Sequence, residues 1–219
     1  SPMRKAIAKR LTQSKFSAPD YYVRLNVCAE SIISARKSLN ASHERKISLN
    51  AFIIKITSLA IEKHPQVNST WNDDSIIQHK TIDIALAVET SNGLIAPAVR
   101  DCASKGIIEI DGDIRDLVEK ARTGKLTPAE YENSTFTISN LGSYGIDEFT
   151  AIINPPNSAI LAVGAIEKRP HITGDDEIIA RPEMKLTLTC DHRIIDGASA
   201  AKFLSYLKTL FEEPITAFV

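Results

Sequence analysis

The chain has 219 residues, 43% hydrophobic and 24% charged, with a formal net charge of -1. That suffices for one large domain or two small ones, and the near-neutral balance argues against nucleic acid as a main partner. No apolar run approaches the roughly 18 residues of a membrane span, and the opening residues lack the form of a secretory signal.

The chain starts Ser1-Pro2-Met3-Arg4-Lys5, already inside a helical pattern, as expected of a piece cut from a longer polypeptide. From Met3 to Phe16, Ile7, Leu11 and Met3 fall on one helical face, with Arg4, Lys5, Lys9 and Arg10 around it. That basic side is either a solvated face or a contact with phosphate or a neighbouring subunit. Pro19 breaks the chain, and Tyr21–Val27 alternates as a strand. Ser31–Leu39 reads as a helix. Ser48 is placed to cap the next one, a buried helix carrying Phe52, Ile53, Ile56, Leu59, Ala60 and Ile61 and ended by Pro65.

Ser75–Gln78 predicts a short strand and Ile82–Val88 another, joined through Ser91-Asn92-Gly93 to Leu94–Val99; Asn-Gly between two such runs signals a hairpin. Ile107–Thr123 predicts a helix with Asp111, Asp113, Asp116, Glu119 and Lys120 on a solvated side and Gly124 as its stop. The spacing of those aspartates does not match a calcium loop. Thr135–Ser139 is β-rich and runs into Asn140-Leu141-Gly142-Ser143-Tyr144-Gly145, a tight turn bracketed by glycines. Asn154-Pro155-Pro156-Asn157 bends the chain again. Ala159–Ile166 is apolar enough for a central strand covered on both faces, whereas His171–Pro182 is polar and is expected to be a mobile surface loop. The three widely spaced cysteines, Cys28, Cys102 and Cys190, are expected to be reduced thiols. With no repeat and no linker, mixed strands and helices predict one α/β sandwich domain.

Met184–Thr189 alternates as a strand, and Ala198–Phe211 has apolar residues at helical spacing. Between them lies Thr189-Cys190-Asp191-His192-Arg193-Ile194-Ile195-Asp196-Gly197, so His192 sits on a short loop held by a strand and a helix. Taken alone, this is a hydrogen-bonded loop histidine with Asp196 capping the helix.

Several blocks together resemble the catalytic core of dihydrolipoamide acyltransferases of 2-oxo-acid dehydrogenase complexes. They are Met3-Arg4-Lys5-Ala6-Ile7-Ala8-Lys9-Arg10-Leu11, Gly93-Leu94-Ile95-Ala96-Pro97, Thr135-Phe136-Thr137-Ile138-Ser139-Asn140-Leu141-Gly142, Ile153-Asn154-Pro155-Pro156 and Asp191-His192-Arg193-Ile194-Ile195-Asp196-Gly197. They follow the family's order along nearly the whole chain, residues 1–219 as one catalytic core domain. The resemblance implies a two-layer mixed-sheet α/β sandwich of the chloramphenicol acetyltransferase type, in a trimer. It also implies transfer of an acyl group between dihydrolipoamide and coenzyme A, both substrates, with no metal. The stretch from Asn140 to Pro156 resembles pyruvate dehydrogenase members more than succinyl- or branched-chain-specific ones, so acetyl is the expected group.

In that reaction a thiolate must form and the tetrahedral oxyanion must be stabilised. A free thiol titrates near 8.5 and a free imidazole near 6.5, so the proton transfer is uphill by about 2.7 kcal/mol, small beside a chemical barrier. A lysine would keep its own proton and an aspartate is too weak a base; histidine suits the task. By resemblance, His192 is the general base and Ser139 the oxyanion donor, the two coming from different subunits. The other reading of Ser139 is a strand-end serine bonded to local backbone. Asp196 is expected to order the loop through a salt bridge and to influence His192, with Arg10 as one candidate partner. A Ser-His-Asp hydrolase triad is set aside because no nucleophile elbow is present. Cys190 reads as a strand-end core thiol, and Asp191 and Arg193 as loop-shaping residues.

The chain departs from the family at Asp20, where Pro-His-Tyr is common and Pro19-Asp20-Tyr21 stands here, and at Asn26, often an aspartate. The resemblance further implies cubic or dodecahedral cores built from trimers, with the C-terminal residues Pro214–Val219 docking between them. Dehydrogenase and lipoamide dehydrogenase partners would attach through a lipoyl domain and a subunit-binding domain outside this stretch. No nucleic acid or membrane partner is expected, and the compartment is the bacterial cytoplasm or the mitochondrial matrix. The alternatives weighed are a catalytically silent core, a core with succinyl or branched-chain specificity, and a stand-alone acetyltransferase acting on a drug or small amine.

Overall fold

The computed structural model describes residues 2–91 and 93–218, without the side chains of Pro2, Met3, Ala6, Ala217 and Phe218. The expected turn residue Asn92, the place of the Met3 side chain on its helix face, the Phe218 side chain and the tail residue Val219 therefore lie outside what is described.

In chain order the elements are α1 (Pro2–Ser17), β1 (Asp20–Cys28), α2 (Glu30–Ala41), α3 (Leu49–Lys63), the hairpin β2 (Ser69–Asn72) and β3 (Ser75–Gln78), β4 (Ile84–Leu86), the hairpin β5 (Val88–Thr90) and β6 (Gly93–Ile95), and β7 (Ala98–Val99). After these come α4 (Ile107–Thr123), α5 (Pro128–Tyr131), β8 (Phe136–Asn140), β9 (Ala159–Val163), β10 (Glu167–Ile172), β11 (Ile178–Asp191) and α6 (Gly197–Glu212). The main sheet runs β1-β11-β9-β8-β4-β7, with β10 also paired to β11. It is mixed, β9-β8-β4 being parallel and the other pairs antiparallel.

The core lies between one face of this sheet and the helices. Alternation brings Val27, Met184, Leu186, Leu188, Leu161, Phe136, Ile138 and Ile84 to that face, against Ile53, Ile54 and Ile61 of α3 and Phe203, Leu207 and Phe211 of α6. The helix starts follow the expected chemistry. Ser48 caps α3 by accepting the Ala51 N–H at 3.3 Å, and Gly124, in the left-handed region at φ 69, stops α4. The opposite face carries smaller and more polar residues, among them Thr137, Ser139, Thr187 and Thr189. Part of it is covered by the bend at residues 154–157, where the Thr137 hydroxyl donates to Asn157 Oδ1 at 2.5 Å and receives Asn154 Nδ2 at 3.2 Å.

Several expectations are corrected. The run Ile82–Val88 is not one strand, because the chain leaves the main sheet after Leu86 and Val88 begins a separate hairpin. Likewise Leu94–Val99 is interrupted at Pro97, whose carbonyl accepts the Leu86 N–H at 2.9 Å but which has no N–H to continue the ladder. His171–Pro182 is not a loop; it forms the outer part of the β10–β11 arm, turning at Thr173–Glu177. Its strands are solvated on both faces, so no hydrophobic period marked them. Asp111, expected on the solvated side of α4, is buried; it accepts the Ser48 N–H at 2.8 Å and Arg115 Nε at 2.7 Å.

Candidate active site

His192 follows the last residue of β11, and its loop is built by Asp191. That carboxylate, 3% exposed with its residue, accepts the Arg193 N–H and a two-pronged contact from the Arg193 guanidinium, at 3.0 Å from Nε to Oδ1 and 2.6 Å from the terminal nitrogen to Oδ2. The Asp191 carbonyl accepts the N–H groups of Ile194 and Ile195, closing the turn. Arg193 also stacks over the Trp71 ring of β2, 5.0 Å from its centroid. Asp191 and Arg193 therefore shape the loop, as expected.

The His192 backbone N–H donates to the Pro19 carbonyl at 3.0 Å, and the exposed ring lies against Tyr21, centroid to centroid 4.7 Å at 49°. Tyr21 is anchored through its hydroxyl, which donates to the Ile195 carbonyl at 3.1 Å. Burial pushes its pKa up. Tyr21 stands in no motif of its own; the strand alternation that aims it inward is visible in the sequence, but the loop it meets is not.

Asp196 occupies the N-cap of α6 and accepts the Ser199 N–H at 2.7 Å. Hydrogen bonds from Ser199, with the Ala198 amide and the neighbouring His192 adding to them, hold its carboxyl below the usual range. The expected salt bridge to Arg10 is not formed in this chain. Arg10 instead donates to the Pro155 carbonyl, and Asp196 uses its oxygen on the helix start. Cys190 is fully buried and its thiol is pushed up to about 12 by burial, so it is a core thiol and no nucleophile.

Ser139 lies elsewhere. It is the penultimate residue of β8, on the face turned away from the helices, and opens onto a cleft of about 870 Å³. Asn140, Leu141 and Tyr144 form one wall of the cleft, Glu89 and Leu94 the other, and Arg4 of α1 reaches it. The turn after Ser139 is fixed from several sides. Asn140 Oδ1 accepts the Gly142 N–H at 2.9 Å while its Nδ2 donates to Asn50 at the start of α3 at 2.8 Å. The Tyr144 hydroxyl donates to Glu89 across the cleft at 2.7 Å. Backbones pass so closely here that a Cβ on Gly142 would stand 2.8 Å from the Gly164 carbonyl oxygen, and one on Gly164 would overlap the Asp147 carbonyl. Glu89, which lines the cleft, and Asn50, which holds Asn140 from behind, were announced by no local pattern, because their partners are distant in sequence.

Register sets the separation of the two residues. Ser139 is level with Ala162 of β9, and Ala162 with Thr187 of β11, five residues before His192. Strand geometry converts this to about 17 Å along the strands and about 10 Å across two of them. Within one chain His192 and Ser139 cannot touch the same reacting atom.

The sequence model of the family "2-oxoacid dehydrogenases acyltransferase (catalytic domain)" matches residues 1–219. The mitochondrial dihydrolipoyllysine-residue acetyltransferase component of the pyruvate dehydrogenase complex of Schizosaccharomyces pombe is 46% identical over 219 residues; the match covers 98% of this chain and 45% of that protein. Among solved structures, the Azotobacter vinelandii dihydrolipoamide acetyltransferase, in which a serine, a histidine and an asparagine were investigated for their catalytic role, superposes with TM-score 0.96 at 27% identity, covering 100% of this chain and 92% of that one. The cubic core of a pyruvate dehydrogenase multienzyme complex superposes with TM-score 0.94 at 27% identity, over 100% and 92% of the two chains. Chloramphenicol acetyltransferase, at TM-score 0.58 and 14% identity over 89% and 86%, shares the fold.

Proposed function

The chain belongs to the 2-oxoacid dehydrogenase acyltransferase family (catalytic domain), and on that premise we propose that it transfers an acetyl group between dihydrolipoamide and coenzyme A. What supports this reading is the placement of the His192 loop at one end of the sheet and the Ser139 cleft at the other, too far apart within one chain to act on the same atom. A second copy of the chain brings them together, so that His192 of one subunit faces Ser139 of the next.

In the reaction, His192 takes the proton from the attacking thiol, and the thiolate adds to the carbonyl carbon of the thioester. Negative charge gathers on the carbonyl oxygen, where the Ser139 hydroxyl donates a hydrogen bond. Collapse of the intermediate breaks the carbon–sulfur bond to the other thiol, and His192 returns the proton to that leaving thiolate. One thioester replaces another, so no net charge or redox change is left to balance. Asp196 supports the step by fixing the start of α6 directly behind the loop. Coenzyme A and the reduced lipoyl group, the latter carried on a domain outside this stretch, are both substrates here.

We further assign the chain to the core of a pyruvate dehydrogenase complex, built from trimers, in bacterial cytoplasm or mitochondrial matrix. Dehydrogenase and lipoamide dehydrogenase components are its partners. Support comes from the relatives, one a component of that complex and one a cubic core. The chain spans less than half of the Schizosaccharomyces pombe relative, so partner attachment is assigned to regions outside this core. Retention of both His192 and Ser139 separates this reading from a catalytically silent core.

The test is acyl transfer to free dihydrolipoamide from acetyl-, succinyl- and isobutyryl-CoA, for the wild type and His192→Ala. The expected result is transfer with acetyl preferred, falling by about 10² to 10⁴ in the variant. Near wild-type rates in His192→Ala would remove the base assignment, and preference for a larger acyl group would remove the acetyl assignment.

A further inference from the structure

Asp20, one of the two departures from the family pattern, sits at the corner where α1 hands over to β1, directly beside the His192 loop. Its carboxylate is gripped by Lys15, at 2.9 and 2.7 Å to its two oxygens. Tyr22 closes the group: its hydroxyl accepts from Lys15 at 3.0 Å and donates to Asp20 at 3.3 Å, and the Lys15 ammonium lies 5.6 Å from its ring centroid. The Asp20 side chain is only 14% exposed although that of Lys15 is 43% exposed, so one partner of the pair is held away from solvent. One residue earlier, Ser14 is buried and donates to the Ile153 carbonyl at 2.6 Å.

The same corner supplies both contacts that hold the base. Pro19 offers its carbonyl to the His192 N–H, and Tyr21 lays its ring against the imidazole. The three residues are consecutive, and strand alternation sends Tyr21 to one face and Asp20 and Tyr22 to the other. Whatever fixes Asp20 therefore fixes the backbone from which Tyr21 projects.

We propose that this corner is a positioning device for the base, in which the Lys15–Asp20 pair anchors the backbone and the tethered Tyr21 ring sets the orientation of the His192 imidazole. Lys15, Asp20 and Tyr21 are positioning residues, since none has to touch the substrate. Proton transfer between an imidazole and a thiol needs the ring nitrogen in line with the S–H, and a free side-chain rotation would divide the productive population among rotamers. The inference rests on His192 being the base.

The experiment uses the intact assembled protein and two readouts, steady-state acetyl transfer from acetyl-CoA to dihydrolipoamide and the rate of diethylpyrocarbonate modification at His192, with His79 and His171 as internal references. Tyr21→Leu is expected to lower kcat about tenfold with KM within about twofold, because only orientation is lost. Its His192 should also be modified several-fold faster, the ring having been uncovered. Tyr21→Phe keeps the ring and should recover most of the rate. Asp20→Asn should cost about threefold in kcat, the scale of a partly exposed ion pair, and Lys15→Asp combined with Asp20→Lys should recover it. A fall in melting temperature with kcat and labelling unchanged would overturn the proposal, as would an effect on KM alone. Should the wild type transfer no acetyl group, the base assignment fails by itself, and the labelling rates still decide whether the corner holds the ring.

Discussion

Among the described residues the Ser139 hydroxyl has no side-chain hydrogen bond, although its neighbour Asn140 has two and the nearby Tyr144 has one. A strand-end serine bonded to local backbone would be occupied; this one faces a cleft and is free to donate to a developing charge. Ser139→Ala is therefore expected to lower kcat by about 10² to 10³ while KM stays nearly constant, because the bond strengthens only as the oxyanion forms. Steady-state kinetics check it, and a change confined to KM would make Ser139 a binding residue. The thiols give a second residue-scale outcome. Burial pushes Cys102 and Cys190 each up to about 12 from an ordinary value of 9.0. An acid whose folded pKa is raised contributes stability that is fully present below its unfolded pKa and is lost as pH climbs towards the folded one. Denaturant melts should accordingly show stability declining between about pH 9 and 12, and neither thiol should react with iodoacetamide at pH 8 before unfolding.

At the scale of elements, close backbone approach holds the turn after β8 in place. Gly164→Ala would push a methyl group into the Asp147 carbonyl, and it is expected to destabilise the fold by at least about 1–3 kcal/mol. Chemical denaturation measures this, and an unchanged midpoint would mean that residues 146–147 yield freely. A different kind of loss is expected at Asp111. Burial alone would raise its pKa, but hydrogen bonds from Ser48 and the Arg115 guanidinium outweigh that and hold it below the usual range. Asp111→Ala leaves the Ser48 N–H at the start of α3 without its acceptor and should cost about 1–3 kcal/mol. Most elements were legible because their signals are local. The Ser48 cap, Pro65, Gly124 and the apolar run of β9 each act within a few residues. What stayed hidden depends on partners far along the chain. The hairpin partner Ser69–Asn72 has no apolar alternation, the outer β10–β11 arm is solvated on both faces with Ile172, Ile178 and Ile179 left exposed, and Asp111 looks solvated until the N-terminus of α3 is packed upon it. The candidate site divided in the same way. His192, Ser139 and Asp196 stand in motif blocks, whereas Tyr21, Asn50 and Glu89 enter only through the fold.

Over the whole molecule, the sheet acts as a ruler that keeps His192 and Ser139 apart. The exposed side chains of Phe16 at 86% and Ile215 at 74%, near the two ends of the described chain, are large apolar surfaces that a monomer would leave in water. On the proposed reading, assembly would both complete the site and cover such surfaces. The most direct measurement of the split site is complementation between two dead proteins. His192→Ala and Ser139→Ala chains are co-expressed, co-assembled and assayed for acetyl transfer to dihydrolipoamide. Each homogeneous assembly should be nearly inactive. In random mixtures at equal ratio, about a quarter of the interfaces unite an intact His192 with an intact Ser139, so the hybrids should recover about a quarter of the wild-type rate. Hybrids as inactive as their parents would contradict a site shared between two copies of this chain.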